Sequence, residues 1–231
     1  MNRIKVKDSE LKDNILLTED KVLNYSNKKG NLDIKIDKKI KLFIYLENCN
    51  LNIDFDINSN TVINIFTFNT NLNIDLNLNK SNIKLDYIYS TLNKDSNTYT
   101  LNINHNEKNI ISNVINHGIN LESEKLEFIV NAIVPKTITG IITKQDNKIL
   151  LMKDNNSVIK PNLLIDNNDI EASHSAYLGD FKKEVIFYLK TRGITFDQAR
   201  KMLAKSFLLG NMKISYEEIN LILTKLDKYW R

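Results

Sequence analysis

Apolar and polar side chains alternate with a period of two along much of this chain. Leu51, Ile53, Phe55 and Ile57 alternate with Asn52, Asp54, Asp56 and Asn58, and Leu72, Ile74, Leu76 and Leu78 alternate with Asn71, Asn73, Asp75, Asn77 and Asn79. Leu42, Ile44 and Leu46 alternate with Phe43, Tyr45 and Glu47; shorter runs surround Ile83 and Leu85, then Leu101 and Ile103. Successive side chains of a strand point to opposite faces, so this pattern means many short strands, each with one buried face. No helical segment of convincing length interrupts them before about residue 175. Three architectures satisfy the pattern: a sandwich, a barrel or a β-solenoid. The first two need hairpins, and no Asn-Gly or Asp-Gly turn occurs in this region.

The chain of 231 residues holds only 6 Gly and 2 Pro, so its turns are not built in the usual way. Asparagine is abundant and tolerates the left-handed conformation better than most residues. Asn at strand corners suits a solenoid, where stacked corners form amide ladders. The repeat is not strict in length, which leaves the sandwich as the alternative. Residues 1–30 read as short strands or an irregular cap, and 31–179 as the β-solenoid.

The last quarter, 180–231, reads as a small helical domain. Phe181, Val185, Tyr188 and Leu189 share one helical face, ended by Arg192 and a left-handed stop at Gly193. Thr195 to Gln198 is a capping box with Ile194 and Ala199 in staple positions, and its expected apolar face is Ala199, Met202, Leu203, Ser206 and Phe207. Gly210 and Asn211 close that helix. Ser215 to Glu218 is a second capping box, followed by Ile219, Ile222, Leu223 and Leu226 on one face.

Composition narrows the function classes. The net charge of +4 is interspersed, without a basic run or basic-aromatic interleaving, so no nucleic acid is expected. The single cysteine, Cys49, excludes an internal disulfide framework and suits a reducing compartment. No apolar run approaches the ~20 residues of a membrane span. The expectation is a cytoplasmic protein without membrane contact.

No P-loop, dinucleotide fingerprint, nucleophile elbow or zinc-type Cys/His cluster is present, so no catalytic residue is assigned and the chain reads as a non-enzyme. His105 reads as a surface residue on a strand or turn. His117, before Gly118, fits a turn or a partly buried position. Cys49 fits a small, half-buried corner residue. His174 lies where alternation gives way to helical periodicity, flanked by Ser173 and Ser175, with Ala176 and Gly179 leaving room for another surface. Imidazole suits iron as well as zinc, although a hydrogen-bonded structural histidine is the simpler reading of the residues.

The stretch from about Gly140 to Leu209 resembles the SufB/SufD family of iron–sulfur cluster assembly scaffolds. The matching residues are Lys160-Pro161, Leu163, Ile165, Asn168-Asp169-Ile170, Ser173-His174-Ser175-Ala176 and Gly179. They continue through Ile186 to Ile194, Ala199 to Leu203, and Ser206-Phe207 without a gap. The resemblance implies a right-handed parallel β-helix followed by a small C-terminal helical domain. It implies that the helices dock an ABC-type ATPase of the SufC kind, with Tyr188, Arg192, Met202, Leu203 and Phe207 as partner-binding residues. ATP would enter only through that partner. It further implies pairing near the C-terminal end of the β-helix with a SufB-like subunit or a second copy, and His174 as a candidate ligand of iron or an iron–sulfur cluster. SufB-type subunits carry a cysteine in the strand matching Ile142 to Asp146, where Gln145 or a neighbour stands, and Glu-His-Glu where this chain has Ser173-His174-Ser175. At both positions the chain is SufD-like. It is short for the family, and the expectation is a minimal version without the usual N-terminal helical extension, one that forms homodimers or needs a SufB-like partner. A ligand-free structural dimerisation subunit and a carbohydrate-active solenoid are the competing expectations.

Overall fold

A computed structural model describes residues 14–230. It shows two seven-stranded, wholly parallel sheets, with odd-numbered strands in one and even-numbered strands in the other. The first sheet holds, in spatial order, β1 (Ile15–Leu17), β3 (Lys29–Ile36), β5 (Asn50–Ile57), β7 (Asn71–Leu78), β9 (Asn97–His105), β11 (Leu126–Val134) and β13 (Val158–Ile165). The second holds β2 (Lys21–Ser26), β4 (Ile40–Glu47), β6 (Thr61–Phe68), β8 (Lys84–Asn93), β10 (Ile111–Asn120), β12 (Ile141–Leu151) and β14 (Ile170–Gly179). The chain thus winds from sheet to sheet and back, the β-solenoid rather than the sandwich. Strands begin at Ile15, so short strands occupy the described part of residues 1–30; positions 1–13 lie outside the described residues.

The coil is not uniform. Stacked residues on the first sheet are 21 apart between Asn31 and Asn52, 27 between Asp75 and Asn102, 29 between Asn102 and Asn131, and 31 between Asn131 and Asn162. This lengthening is what blurred the repeat. The interior of the shorter coils is filled by aliphatic side chains such as Ile34, Ile53 and Ile74. The longer coils hold larger groups: Tyr89 stacks on Tyr99 with centroids 3.8 Å apart, and Phe128 meets both rings edge-on. Gly118 lies against this cluster, and a Cβ there would come within 2.8 Å of the Phe128 ring.

Asparagine builds the corners as expected. Asn27, Asn48, Asn69, Asn82 and Asn109 all have positive φ. On the outer face of the first sheet, amide ladders run from coil to coil: Asn102 Nδ2 donates to Asp75 at 2.8 Å, Asn131 to Asn102 at 2.7 Å, and Asn162 to Asn131 at 2.7 Å.

The second sheet has a different outer face. Phe43, Tyr45, Phe66, Phe68, Leu92, Ile119 and Leu150 point away from the solenoid interior and are buried. They pack against Ala204, Leu208, Ile222 and Leu226 of helices α2 (Phe196–Leu209) and α3 (Tyr216–Tyr229). The molecule therefore has a second core between sheet and helices. Both capping boxes are present, and Gly193 ends α1 (Lys183–Thr191) with φ +84°.

Two helix faces differ from expectation. In α1 the buried residue is Ile186, whereas Val185 and Tyr188 are exposed. In α2 the buried positions are Ala199, Ala204 and Leu208, whereas Met202 is exposed. Ala199 and Phe207 pack inward as expected, but the stripes are otherwise rotated because their width allowed two neighbouring faces, and only the surface beneath, the second sheet for α2 and α2 itself for α1, chooses between them.

Candidate functional site

The C-terminal end of the solenoid is where its walls open. β13 and β14 are edge strands, and most of β14 is exposed. His174 lies mid-strand on β14, exposed, in register with Gln145 of β12, which in turn pairs with Val114 of β10. Parity places all three on the interior-facing side. Gln145 is only 3% exposed, and neither its Nε2 nor its Oε1 has a hydrogen-bond partner. Burying an amide unpaired is costly, and such groups in native folds usually have a partner. The open end thus presents an imidazole above an unsatisfied amide.

The residue after His174 is held from both sides of the strand. Ser175 Oγ donates to Asp146 Oδ1 at 2.6 Å on the outer face, and Asn147 Nδ2 donates to the Ser175 carbonyl at 3.2 Å on the inner face. Asn147 accepts from Asn116 Nδ2 at 2.7 Å, and the Tyr99 hydroxyl lies 3.0 Å from Asn116 Oδ1. A buried polar chain thus runs from the aromatic cluster to β14. Among the described residues, no group of three or more His, Cys, Asp or Glu side chains is placed to hold a metal ion.

The helices present an exposed apolar face. Phe187 is 68% and Tyr188 56% exposed, and Phe196 and Met202 are also open. Arg192 lies over the Tyr188 ring at 5.2 Å, and Arg200 over the Phe196 ring at 5.4 Å while pairing with Asp180 at 3.3 Å. Of the expected partner-binding residues, Tyr188, Arg192 and Met202 face outward. Leu203 is half-buried. Phe207 stacks on His117 with centroids 4.3 Å apart.

The other singled-out residues fall elsewhere. His105 is not on the surface: it is fully buried, with Nδ1 donating to the Ile133 carbonyl at 3.0 Å and Nε2 2.9 Å from Ser112 Oγ. Its parity with Leu101 and Ile103 was the overlooked signal, since all three must share the inner face. Burial pushes its pKa down to about 4, against the raising effect of nearby carbonyls. Cys49 is buried in the solenoid interior, its Sγ 3.4 Å from the Glu47 carbonyl, and burial raises its pKa. It lies far from His174 in the coil order.

A family model described as the SUF system FeS cluster assembly, SufBD core domain, matches residues 53–207, from β5 into α2. That span is more than half the chain. The chain belongs to the SufBD family. Among curated relatives, Protein ABCI7, chloroplastic, from Arabidopsis thaliana is 38% identical over 79 residues, which are 34% of this chain and 16% of that protein. The match thus spans less than a fifth of the relative's length. The SufBD match includes His117, Gln145, Ser173-His174-Ser175 and α1, and it ends at Phe207. Among the described residues no helix is long and apolar enough to cross a membrane.

Proposed function

We propose that this chain is a non-catalytic scaffold subunit of a SUF-type iron–sulfur assembly complex, working in the cytoplasm with an ABC-type ATPase. The SufBD match supports the system. The position of His174, mid-strand on the exposed edge of the solenoid, carries the finer reading. An edge strand offers unpaired backbone groups and is a natural seat for a second subunit. A SufB-like subunit or a second copy of this chain seated there would bring its own donors beside His174. The nascent cluster is cargo, held by His174 together with donors from that other subunit. Gln145 or a neighbour in place of a cysteine, and serines on both sides of His174, favour a SufD-like role. The ATPase would bind the exposed face of α1 and α2 around Tyr188, Arg192 and Met202, with Leu203 and Phe207 along its inner margin.

The test is co-purification with a SufC-like ATPase, followed by anaerobic iron and sulfide analysis of the wild type and His174→Ala. The reading expects ATPase recovery with both proteins and less iron with the variant. Equal iron would reduce the chain to a structural partner of the ATPase. Tyr188→Asp and Met202→Asp should lower ATPase recovery while leaving the circular dichroism spectrum unchanged; full recovery with both would remove the docking surface.

A further inference from the structure

The last turn of α2 is tied to the second sheet through its carbonyls. A helix leaves its final four C=O groups without intrahelical partners. In α2 the Phe207 carbonyl accepts from His117 Nδ1 at 3.0 Å and the Leu208 carbonyl from Ser90 Oγ at 2.7 Å. Because a carbonyl only accepts, the His117 proton is on Nδ1. The neutral ring then aims the lone pair of Nε2 toward Asp146 Oδ2, 3.6 Å away, and Nε2 has no hydrogen-bond partner. Asp146 also holds Lys148 Nζ at 2.6 Å and Ser175 Oγ of β14 at 2.6 Å. One open contact therefore separates two closed ones, from α2 to β10 on one side and from β12 to β14 on the other.

A second proton on His117 closes that contact. Nε2–H would donate to a carboxylate already ionised, a charge-assisted bond, and the imidazolium would sit at the negative end of α2. The charged groups facing the ring are Asp146 and Lys148 of β12; α2 offers the Phe207 ring and carbonyl, and β8 offers Ser90, its register partner. Burial, and less so Lys148, lowers the His117 pKa, while the Phe207 carbonyl and Asp146 oppose them. Asp146 is held below its usual range: burial works against ionisation, but the bonds from Lys148 and Ser175 outweigh it.

We propose that His117 is a proton-gated link that couples α2 to the edge strand β14 through Asp146 and Ser175. Displacing α2 changes how firmly β14, and with it His174, is held, and does so when His117 is protonated. The use of such a link rests on the reading that α2 carries an ATPase and β14 a second subunit, but the link itself belongs to the isolated chain.

The experiment is a double-mutant cycle read by amide hydrogen exchange of the full chain at pH 5 and pH 7.5, corrected for intrinsic rates. Phe207→Ala and Asp146→Ala are made singly and together, and β14 amides are compared with those of β3 and β5 as internal controls. At pH 5, Phe207→Ala should speed β14 exchange about threefold or more over the controls, an effect that disappears in the Asp146→Ala background and at pH 7.5. An effect of equal size in both backgrounds or at both pH values overturns the proposal, as does no effect at pH 5. Phe207→Leu, which removes the stack but keeps apolar volume, replaces Phe207→Ala if that variant fails to fold. No partner protein is present, so failure here leaves the ATPase reading standing.

Discussion

His105 shows how a single polar residue can be structural in a solenoid interior. Its ring bridges the two sheets, from the Ile133 carbonyl of β11 to Ser112 of β10, and Ser112 lies 2.8 Å from Thr143 of β12. Its folded pKa of about 4 lies below the unfolded value, so the unfolded chain takes up a proton first as the pH falls. The stability that His105 contributes while neutral is therefore intact above pH 6.5 and lost progressively between 6.5 and 4. The loss should reach ~3 kcal/mol at the acid end. Urea unfolding of the wild type and His105→Gln across that range checks this: the wild type should lose more stability, and parallel curves would contradict it. Glu47 acts differently. Burial disfavours its charge, yet bonds from Lys225 Nζ at 2.7 Å and the Tyr229 hydroxyl keep its pKa below the usual value. Glu47→Gln should therefore loosen the end of α3, measurable as faster amide exchange there.

Among the elements, the two outer faces of the solenoid carry unequal energetic weight. Sheet one is faced with amide ladders that are exposed or half-buried, so water competes for their hydrogen bonds. Asn131→Ala should cost about 1 kcal/mol or less. Sheet two buries large aromatic groups against helices, and Phe68 meets the Tyr229 ring at 4.0 Å. Phe68→Ala should cost about 3–5 kcal/mol, because it leaves a cavity in the second core. Chemical denaturation of both variants tests the contrast; equal losses would refute it. The capping boxes predict something smaller: Thr195→Ala and Ser215→Ala should each lower stability by ~1 kcal/mol. These elements were legible in the sequence in proportion to how local their causes are. Capping boxes and Asn corners depend on neighbours within a few residues, and the structure has them where the chain spells them. The buried stripes of α1 and α2 depend on what packs beneath them, α2 for the first and the second sheet for the other, and the sequence placed each only in part: Ala199 and Phe207 pack inward as expected, Tyr188 and Met202 do not.

At the scale of the molecule, the solenoid is closed along its sides and open at its end. β14 carries Tyr177 and Leu178, both 44% exposed, on an edge with no strand beyond it among the described residues. A second subunit there would cover this surface. Leu178→Lys should shift the sedimentation profile toward the monomer, or away from a SufB-like partner, and an unchanged profile would argue that association uses another surface. Helices α2 and α3 pack on the outer face of the sheet that ends in β14, so α2 and β14 are joined through the strands between them. The candidate site is thus partly written in the chain. The run around His174 marks the place, but its neighbours Gln145, Asp146 and Asn147 come from β12, about 30 residues upstream, and stand beside it only because the coil there has that length.

The sequence by itself determined the strands, their inner faces along the first sheet, the asparagine corners and the helix starts, since each follows from residues close together in the chain. It also contained the family's motif. Tertiary structure alone decided the rest. On the second sheet Phe43 and Tyr45 alternate with Leu42 and Ile44, so both faces are apolar and alternation cannot say which core each serves; the helices settled that by covering one of them. His117 gained its partners in the same way, from a helix 90 residues downstream and a strand one coil away, because burial and electrostatics depend on what packs against a group rather than on what adjoins it in sequence.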